Sequence, residues 1–210
     1  MARQIPGVVI VRLPLYFRAL ALMAEEKAEI VSSQELGARL QITPAQIRKD
    51  LSYFGKFGTQ GKGYNVGQLL GELRLILGLD REWSVALVGV GRLGKAILDY
   101  GELPHHGFRI VAAFDRDPQQ IGKKVGELVI QDVAELAATI ENQGIDIGIV
   151  AVPPSQTQEA TDCLVGCGVK GILNYAPVAA RVPPDVHLQE IDPVLALQTL
   201  TYHLKSLSTT

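Results

Sequence analysis

The chain has 210 residues, enough for one large domain or two modest ones, and with 47% hydrophobic and 20% charged residues it is neither disordered, collagen-like nor of low complexity. Two cysteines are too few for a disulfide framework, which points to the reducing cytoplasm. The net charge of -2 hides a division: residues 1–80 carry ten Lys and Arg against seven Asp and Glu, whereas residues 81–210 carry ten against fifteen. Arg12 and Arg18 interrupt the most apolar N-terminal stretch before it reaches the roughly 18 residues of a membrane span, and no small-residue cleavage site follows it. Neither a membrane nor an export signal is therefore expected.

The N-terminal part predicts three helices and a hairpin. Pro14 to Ala28, with Leu15, Leu20, Leu22 and Met23, predicts the first helix. Ser32 with Glu35 three positions on is a capping box that opens a second helix through Leu36 and Leu40. Thr43, Pro44 and Gln46 mark the start of a third, and only Gln41 and Ile42 separate Leu40 from that cap. This is the tight turn of a helix-turn-helix. Ile47, Leu51 and Phe54 form the stripe to be buried, leaving Arg48, Lys49, Ser52 and Tyr53 on other faces, where donors can meet phosphates and base edges in a major groove.

From Lys56 to Val66 the glycines permit a tight hairpin, a basic wing carrying Lys56 and Lys62. Between Arg39 and Tyr64 there are five basic residues against one acidic, a charge suited to a polyanion. The expected DNA contacts are Gln46, Arg48, Lys49, Ser52, Tyr53, Lys56, Lys62 and Tyr64. A plain helical oligomerisation domain, with Tyr53 and Phe54 in its core, is the alternative.

Near Asp80 the pattern changes to short Val- and Ile-rich runs alternating with helical segments, which places a domain boundary there. A strand from Val85 to Val88 leads into Gly89-Val90-Gly91-Arg92-Leu93-Gly94, a G-x-G-x-x-G that opens a helix from Leu93 to Tyr100. One glycine makes the turn, the next admits a pyrophosphate and the third lets helix and strand pack closely. The next strand, from Ile110, ends at Asp115, 21 residues beyond Gly94, where a carboxylate accepts hydrogen bonds from an adenosine ribose. Further strands at 128–130, 145–152, 171–173 and 186–188, with helices at 133–140 and 156–165, imply an α/β fold, a parallel sheet covered on both faces. The loops at Val152-Pro153 and Asn174-Tyr175 then line the rest of a dinucleotide pocket.

Residues for chemistry on a bound coenzyme are not apparent. Asp146, Asp162 and Asp185 have no catalytic spacing, and His105, His106, His187 and His203 have no evident partners. Cys163 and Cys167, four apart, suit small buried hydrophobes better than a metal site, so no metal is expected.

Over nearly its whole length the chain resembles the Rex family of bacterial redox-sensing repressors. The resemblance is carried by residues 46–55 (QIRKDLSYFG), Phe57-Gly58, Gly61, Gly63-Tyr64 and Val66, and is supported by the glycine loop and by Asn174-Tyr175-Ala176-Pro177-Val178. It implies a homodimer in which each subunit has a winged helix (residues 1–80), a Rossmann domain (81–192) and a closing helix (193–210) swapped onto the partner. It also implies that NADH and NAD+ bind, NADH releasing the protein from double-stranded operator DNA. Tyr100 is then expected near the nicotinamide, and Arg18 to pair with Asp192 of the partner subunit as an allosteric contact. Two positions depart from the family pattern. Arg116 stands where an apolar residue is usual and can attract a 2'-phosphate, although Asp115 favours NAD(H); Pro193 stands where an aromatic usually follows the aspartate. An NAD-dependent oxidoreductase with an accessory N-terminal domain, and a regulator sensing another nucleotide such as coenzyme A, are the alternatives.

Overall fold

The structure, a computed structural model, describes residues 5–59 and 62–207, in two compact units divided between Arg81 and Glu82. Gln60 and Gly61 at the tip of the expected wing lie outside the described residues.

In the first unit α1 (Gly7–Glu25), α2 (Ser33–Leu40), α3 (Pro44–Leu51) and α4 (Val66–Ile76) surround one core. A small antiparallel sheet completes it, with β1 (Ile30–Val31), β2 (Gly58–Thr59) and β3 (Gly63–Asn65) in the order β1-β3-β2. The capping box at Ser32 forms as expected: the Ser32 hydroxyl accepts from the Glu35 amide at 3.1 Å and the Glu35 carboxylate accepts from the Ser32 amide at 2.7 Å. At Thr43 only half a box forms. The hydroxyl accepts from the Gln46 amide at 3.2 Å, while the Gln46 side chain turns away to Asp50.

α1 begins seven residues before the expected Pro14. Proline forfeits a helix hydrogen bond, but Pro14 faces solvent, and Val9, Leu13, Tyr16, Leu20 and Met23 keep a continuous inward stripe on both sides of it. Leu15 and Leu22, named from sequence as helix-forming apolar residues, lie on the exposed face. By length and composition alone α1 is apolar enough to cross a membrane, contrary to the expectation from its two arginines. Its inward stripe belongs to the core of this unit and Arg12 is ion-paired within it, so its apolar character fits a core helix. The fourth helix was not expected; Asn65 caps it by accepting from the Gln68 amide at 2.8 Å.

The second unit contains a seven-stranded sheet in the order β10-β9-β8-β4-β5-β7-β6. Its strands are β4 (Trp83–Val88), β5 (Phe108–Asp115), β6 (Lys124–Val125), β7 (Leu128–Asp132), β8 (Ile147–Val150), β9 (Gly171–Asn174) and β10 (His187–Glu190). All neighbours are parallel except β6, an unexpected short strand antiparallel to β7. The helices are α5 (Arg92–Leu98), α6 (Leu136–Gln143), α7 (Thr157–Gly166) and α8 (Pro193–Leu207). Separate apolar clusters around Phe114 and Leu164, and around Leu87 and Ile130, cover the two faces. After β4 the chain builds outward through β5 and β7, then returns to place β8 on the other side of β4. That reversal opens a crevice at the carboxyl ends of β4, β5 and β8, where doubly wound sheets bind ligands.

Inside the first unit the Asp50 carboxylate has no solvent exposure. It accepts from Arg12 Nε at 2.6 Å and Nη2 at 2.9 Å, from the Tyr16 hydroxyl at 2.6 Å and from Gln46 Nε2 at 2.6 Å. Burial pushes the carboxyl up, but the hydrogen bonds from Arg12, Tyr16 and Gln46 outweigh it and hold the group below its ordinary value of 3.8. A carboxyl depressed on folding adds stability above its unfolded value, and the gain is lost as pH falls through the folded value. Asp50→Ala leaves Arg12 and Tyr16 without their acceptor and is expected to cost the first unit about 3–5 kcal/mol in urea unfolding. Asp50→Asn is expected to make the decline in stability below about pH 4 shallower than in the wild type.

Candidate functional site

Two sites emerge, one in each unit. In the first, α3 and the β2–β3 wing flank a groove lined by Ser33, Pro44, Arg48, Ser52, Lys56 and Gly58, among others. Arg48 is exposed and donates to the Ser33 hydroxyl at 2.8 Å, which steadies its guanidinium at the mouth of α2. Lys49, Lys56 and Lys62 are exposed, and the Ser52 hydroxyl donates to the Lys49 carbonyl at 2.7 Å. Tyr53 is half-buried just beyond α3.

Two expected DNA contacts face inward. Gln46 is held by Asp50, and Tyr64, although it lines the groove, is only 9% exposed, its ring part of the core and its phenol pushed up by burial. Alternation along β3 explains the second case: Gly63 and Asn65 share one face of the strand, and Tyr64 points to the other, buried face. What remains outward is a set of long cations and a hydroxyl on a convex helix and hairpin, suited to phosphate contacts and one groove-entering helix.

In the second unit Gly89 and Gly94 meet the demands of the loop. A Cβ on Gly94 would lie 2.0 Å from the Gly89 carbonyl oxygen, so only hydrogen fits where α5 packs on β4. Gly89 has φ +97°, and a Cβ there would lie 2.5 Å from the Ala151 carbonyl oxygen. Gly91 opens α5 in extended backbone without a side-chain cap. Asp115 ends β5 as expected, and its carboxylate clamps the loop from beneath, accepting from the Val90 amide at 2.7 Å and the Asp117 amide at 2.9 Å. Two amides leave lone pairs on both oxygens for a ribose hydroxyl.

Gly89, Asp115, Arg116 and Val152 are brought together around one pocket. Sequence reasoning missed Val88, Val133, Leu136, Gln156, Glu159, Ala160 and Cys163, which complete its lining. The signal was available: residues 133–136 follow β7, and 156–163 follow β8, both at the carboxyl edge of the sheet. The apolar members form a floor for a flat base, and the glycine cradle fits a pyrophosphate.

Other expected residues have different places. Val90 is buried in the core and offers only its backbone. Arg92 and Leu93 are exposed in the first turn of α5, Pro153 is exposed after β8, and Tyr100 is exposed just past α5. Asn174 is fully buried and braces its own loop, donating to the Val178 carbonyl at 2.9 Å and accepting from the Ala176 amide at 2.9 Å, which leaves no exposed atom for a ligand. Tyr175 packs against the core below β9. Cys163 is exposed in the pocket and Cys167 is partly exposed, so neither is the fully buried hydrophobe expected from their spacing. Arg18 is exposed on α1; Asp192 is half-buried and accepts from the Val194 amide at 2.8 Å at the start of α8. No group of three or more His, Cys, Asp or Glu able to hold a metal occurs among the described residues.

Comparison with known proteins gives concordant matches. A family described as "Putative DNA-binding protein N-terminus" matches residues 4–52, and one described as "CoA binding domain" matches residues 80–178. The redox-sensing transcriptional repressor Rex of Chloroflexus aggregans is 52% identical, across 96% of this chain and 95% of its own. Repressor Rex 1 of Thermotoga maritima is 43% identical across 97% of this chain and 98% of its own. Among solved structures, RSP, a Rex-family repressor, matches with a TM-score of 0.90 at 35% identity, covering 99% of this chain and 97% of that one. RSP in complex with beta-NAD+ and operator DNA matches with a TM-score of 0.92 at 37% identity, covering 99% and 95%.

Gly94→Ala is expected to abolish dinucleotide binding and to lower the thermal midpoint of the second unit, because a backbone carbonyl stands where the methyl must go. Calorimetric titration with NADH, paired with a melting curve, measures both effects.

Proposed function

The chain belongs to the Rex family of redox-sensing transcriptional repressors, and from that premise we propose that it represses transcription by binding double-stranded operator DNA and is released when NADH replaces NAD+. The observation that carries this reading is the presence in one chain of a basic winged helix and of a glycine-loop pocket closed by Asp115. The relative RSP has been solved both with beta-NAD+ and operator DNA and with beta-NADH, which supports the same pair of ligands here.

On this reading Arg48, Lys49, Ser52, Tyr53, Lys56 and Lys62 contact DNA, with α3 entering the major groove. Gly89 and Gly91 leave the loop open to the pyrophosphate, Gly94 lets α5 pack close beneath it, Asp115 receives the adenosine ribose, and Tyr100 lies toward the nicotinamide. The protein performs no chemistry on the coenzyme, in keeping with relatives named as repressors. It acts in the cytoplasm, where operator DNA is found.

The working form is a homodimer. The apolar residues Val194, Leu195, Leu197, Leu200 and Leu204 of α8 are each more than half exposed in the single chain, a face in need of cover, which supports a closing helix swapped onto the partner. Arg18 then pairs with Asp192 of the partner subunit in the DNA-binding state. Oxidised and reduced coenzyme differ by one positive charge and by ring planarity, so the two dimer shapes must differ in what touches the nicotinamide. Moving the population from 1:99 to 99:1 takes a differential affinity of about 5.5 kcal/mol, which two sites can share.

A mobility shift on palindromic operator DNA tests the proposal: NADH is expected to dissociate the complex and NAD+ to leave it intact, and binding indifferent to both would refute it. Lys49→Ala is expected to weaken DNA binding at every sequence and to reduce the salt slope by about one, with NADH affinity unchanged. Asp115→Ala is expected to weaken NADH while operator affinity without coenzyme holds.

A further inference from the structure

Asp115, Arg116 and Glu159 are the three charged residues among those lining the pocket, and together they carry one net negative charge. Arg116 directly follows the ribose-binding Asp115 at the end of β5, while Glu159 lies in the first turn of α7. Arg116 Nη1 stands 3.7 Å from Glu159 Oε2, and both side chains are more than half exposed. The adenosine 2'-hydroxyl of a bound dinucleotide would face Asp115, so a 2'-phosphate would arrive at these three groups. An arginine just after the ribose-binding acid is where a phosphorylated coenzyme is ordinarily accommodated. Here that arginine already faces a carboxylate from across the pocket.

We propose that Glu159 is a specificity-determining residue that excludes the 2'-phosphorylated coenzyme by occupying Arg116 and adding a second negative charge beside Asp115. The proposal rests on the dinucleotide reading of the pocket. The ion pair is exposed and contributes little to stability. Its effect is on selectivity: a 2'-phosphate must take Arg116 from Glu159 and then lie beside two carboxylates, whereas a 2'-hydroxyl needs only the acceptor at Asp115. Without Glu159 the guanidinium is released for a charge-assisted, bidentate contact with the phosphate. Glu159 was not among the residues expected from sequence to touch the coenzyme, because it meets Arg116, 43 positions earlier in the chain, only through the fold.

Calorimetric titration of the full-length protein with NADH and with NADPH tests this. The wild type is expected to prefer NADH. In Glu159→Gln, NADPH is expected to bind about three- to tenfold more tightly, the scale of one removed charge plus one freed arginine at a water-accessible site, with NADH changing less than about twofold. Arg116→Ala in the Glu159→Gln background is expected to cancel the gain. NADH binding also reports that each variant is folded, and Glu159→Ala, expected to behave like Glu159→Gln, checks that the effect comes from losing the charge. Unchanged NADPH affinity in Glu159→Gln with NADH binding retained overturns the proposal, as does a gain that survives loss of Arg116. A wild type that binds neither dinucleotide overturns the reading of the pocket itself and, with it, this inference.

Discussion

Asp50 is a full charge without solvent contact on α3, the helix proposed to read DNA, and it stays charged because Arg12, Tyr16 and Gln46 converge on it. Two of those partners belong to α1 and one to α3 itself. Removing a carboxylate from water costs several kcal/mol, and the cost is offset only while every donor remains in place, so the network tolerates one relative placement of α1 and α3. The rest of the DNA-facing side follows from that placement. With Ile47, Asp50 and Leu51 inward, Arg48, Lys49 and Ser52 must face outward, and the wing carrying Lys56 packs beside them through Phe57 and Tyr64.

The coenzyme side rests on a constraint of space. α5 lies so close to β4 that the Gly89 carbonyl occupies the room a Gly94 side chain would need, and Asp115 then fixes the loop by accepting from the Val90 amide. One carboxylate thus shapes the glycine loop and, on the proposed reading, keeps lone pairs for a ribose. The same economy leaves few charged groups in the pocket, so the Arg116–Glu159 pair, weak as an ion pair, has leverage over which coenzyme enters.

Much of this was legible in the sequence because caps and glycines act locally. Ser32 with Glu35, Thr43 with Pro44, and the run from Gly89 to Gly94 each specify a backbone geometry within a few residues; α2 and α3 begin where they predict, and α5 begins one residue earlier, at Arg92. What was missed depends on partners distant in sequence. Pro14 was taken as a boundary, yet the apolar stripe of α1 carries the helix through it. Gln46 and Asn174 have the right chemistry for binding, but a buried acid claims the first and a loop carbonyl the second. Tyr64 lines the groove as expected, but the two-residue period of a short strand also packs its ring into the core. Cys163, expected inside, faces the pocket because α7 presents Thr161 and Leu164 to the sheet instead.

A repressor controlled by a coenzyme is a linked equilibrium: whatever factor NADH removes from operator affinity, the operator must remove from NADH affinity. The most direct measurement is a titration of the full-length protein with NADH in the presence and absence of a saturating operator duplex, at fixed salt. The account predicts that the duplex weakens NADH by the same factor by which NADH weakens the duplex, with NAD+ affinity held or raised. Identical NADH affinities for free and DNA-bound protein would contradict it.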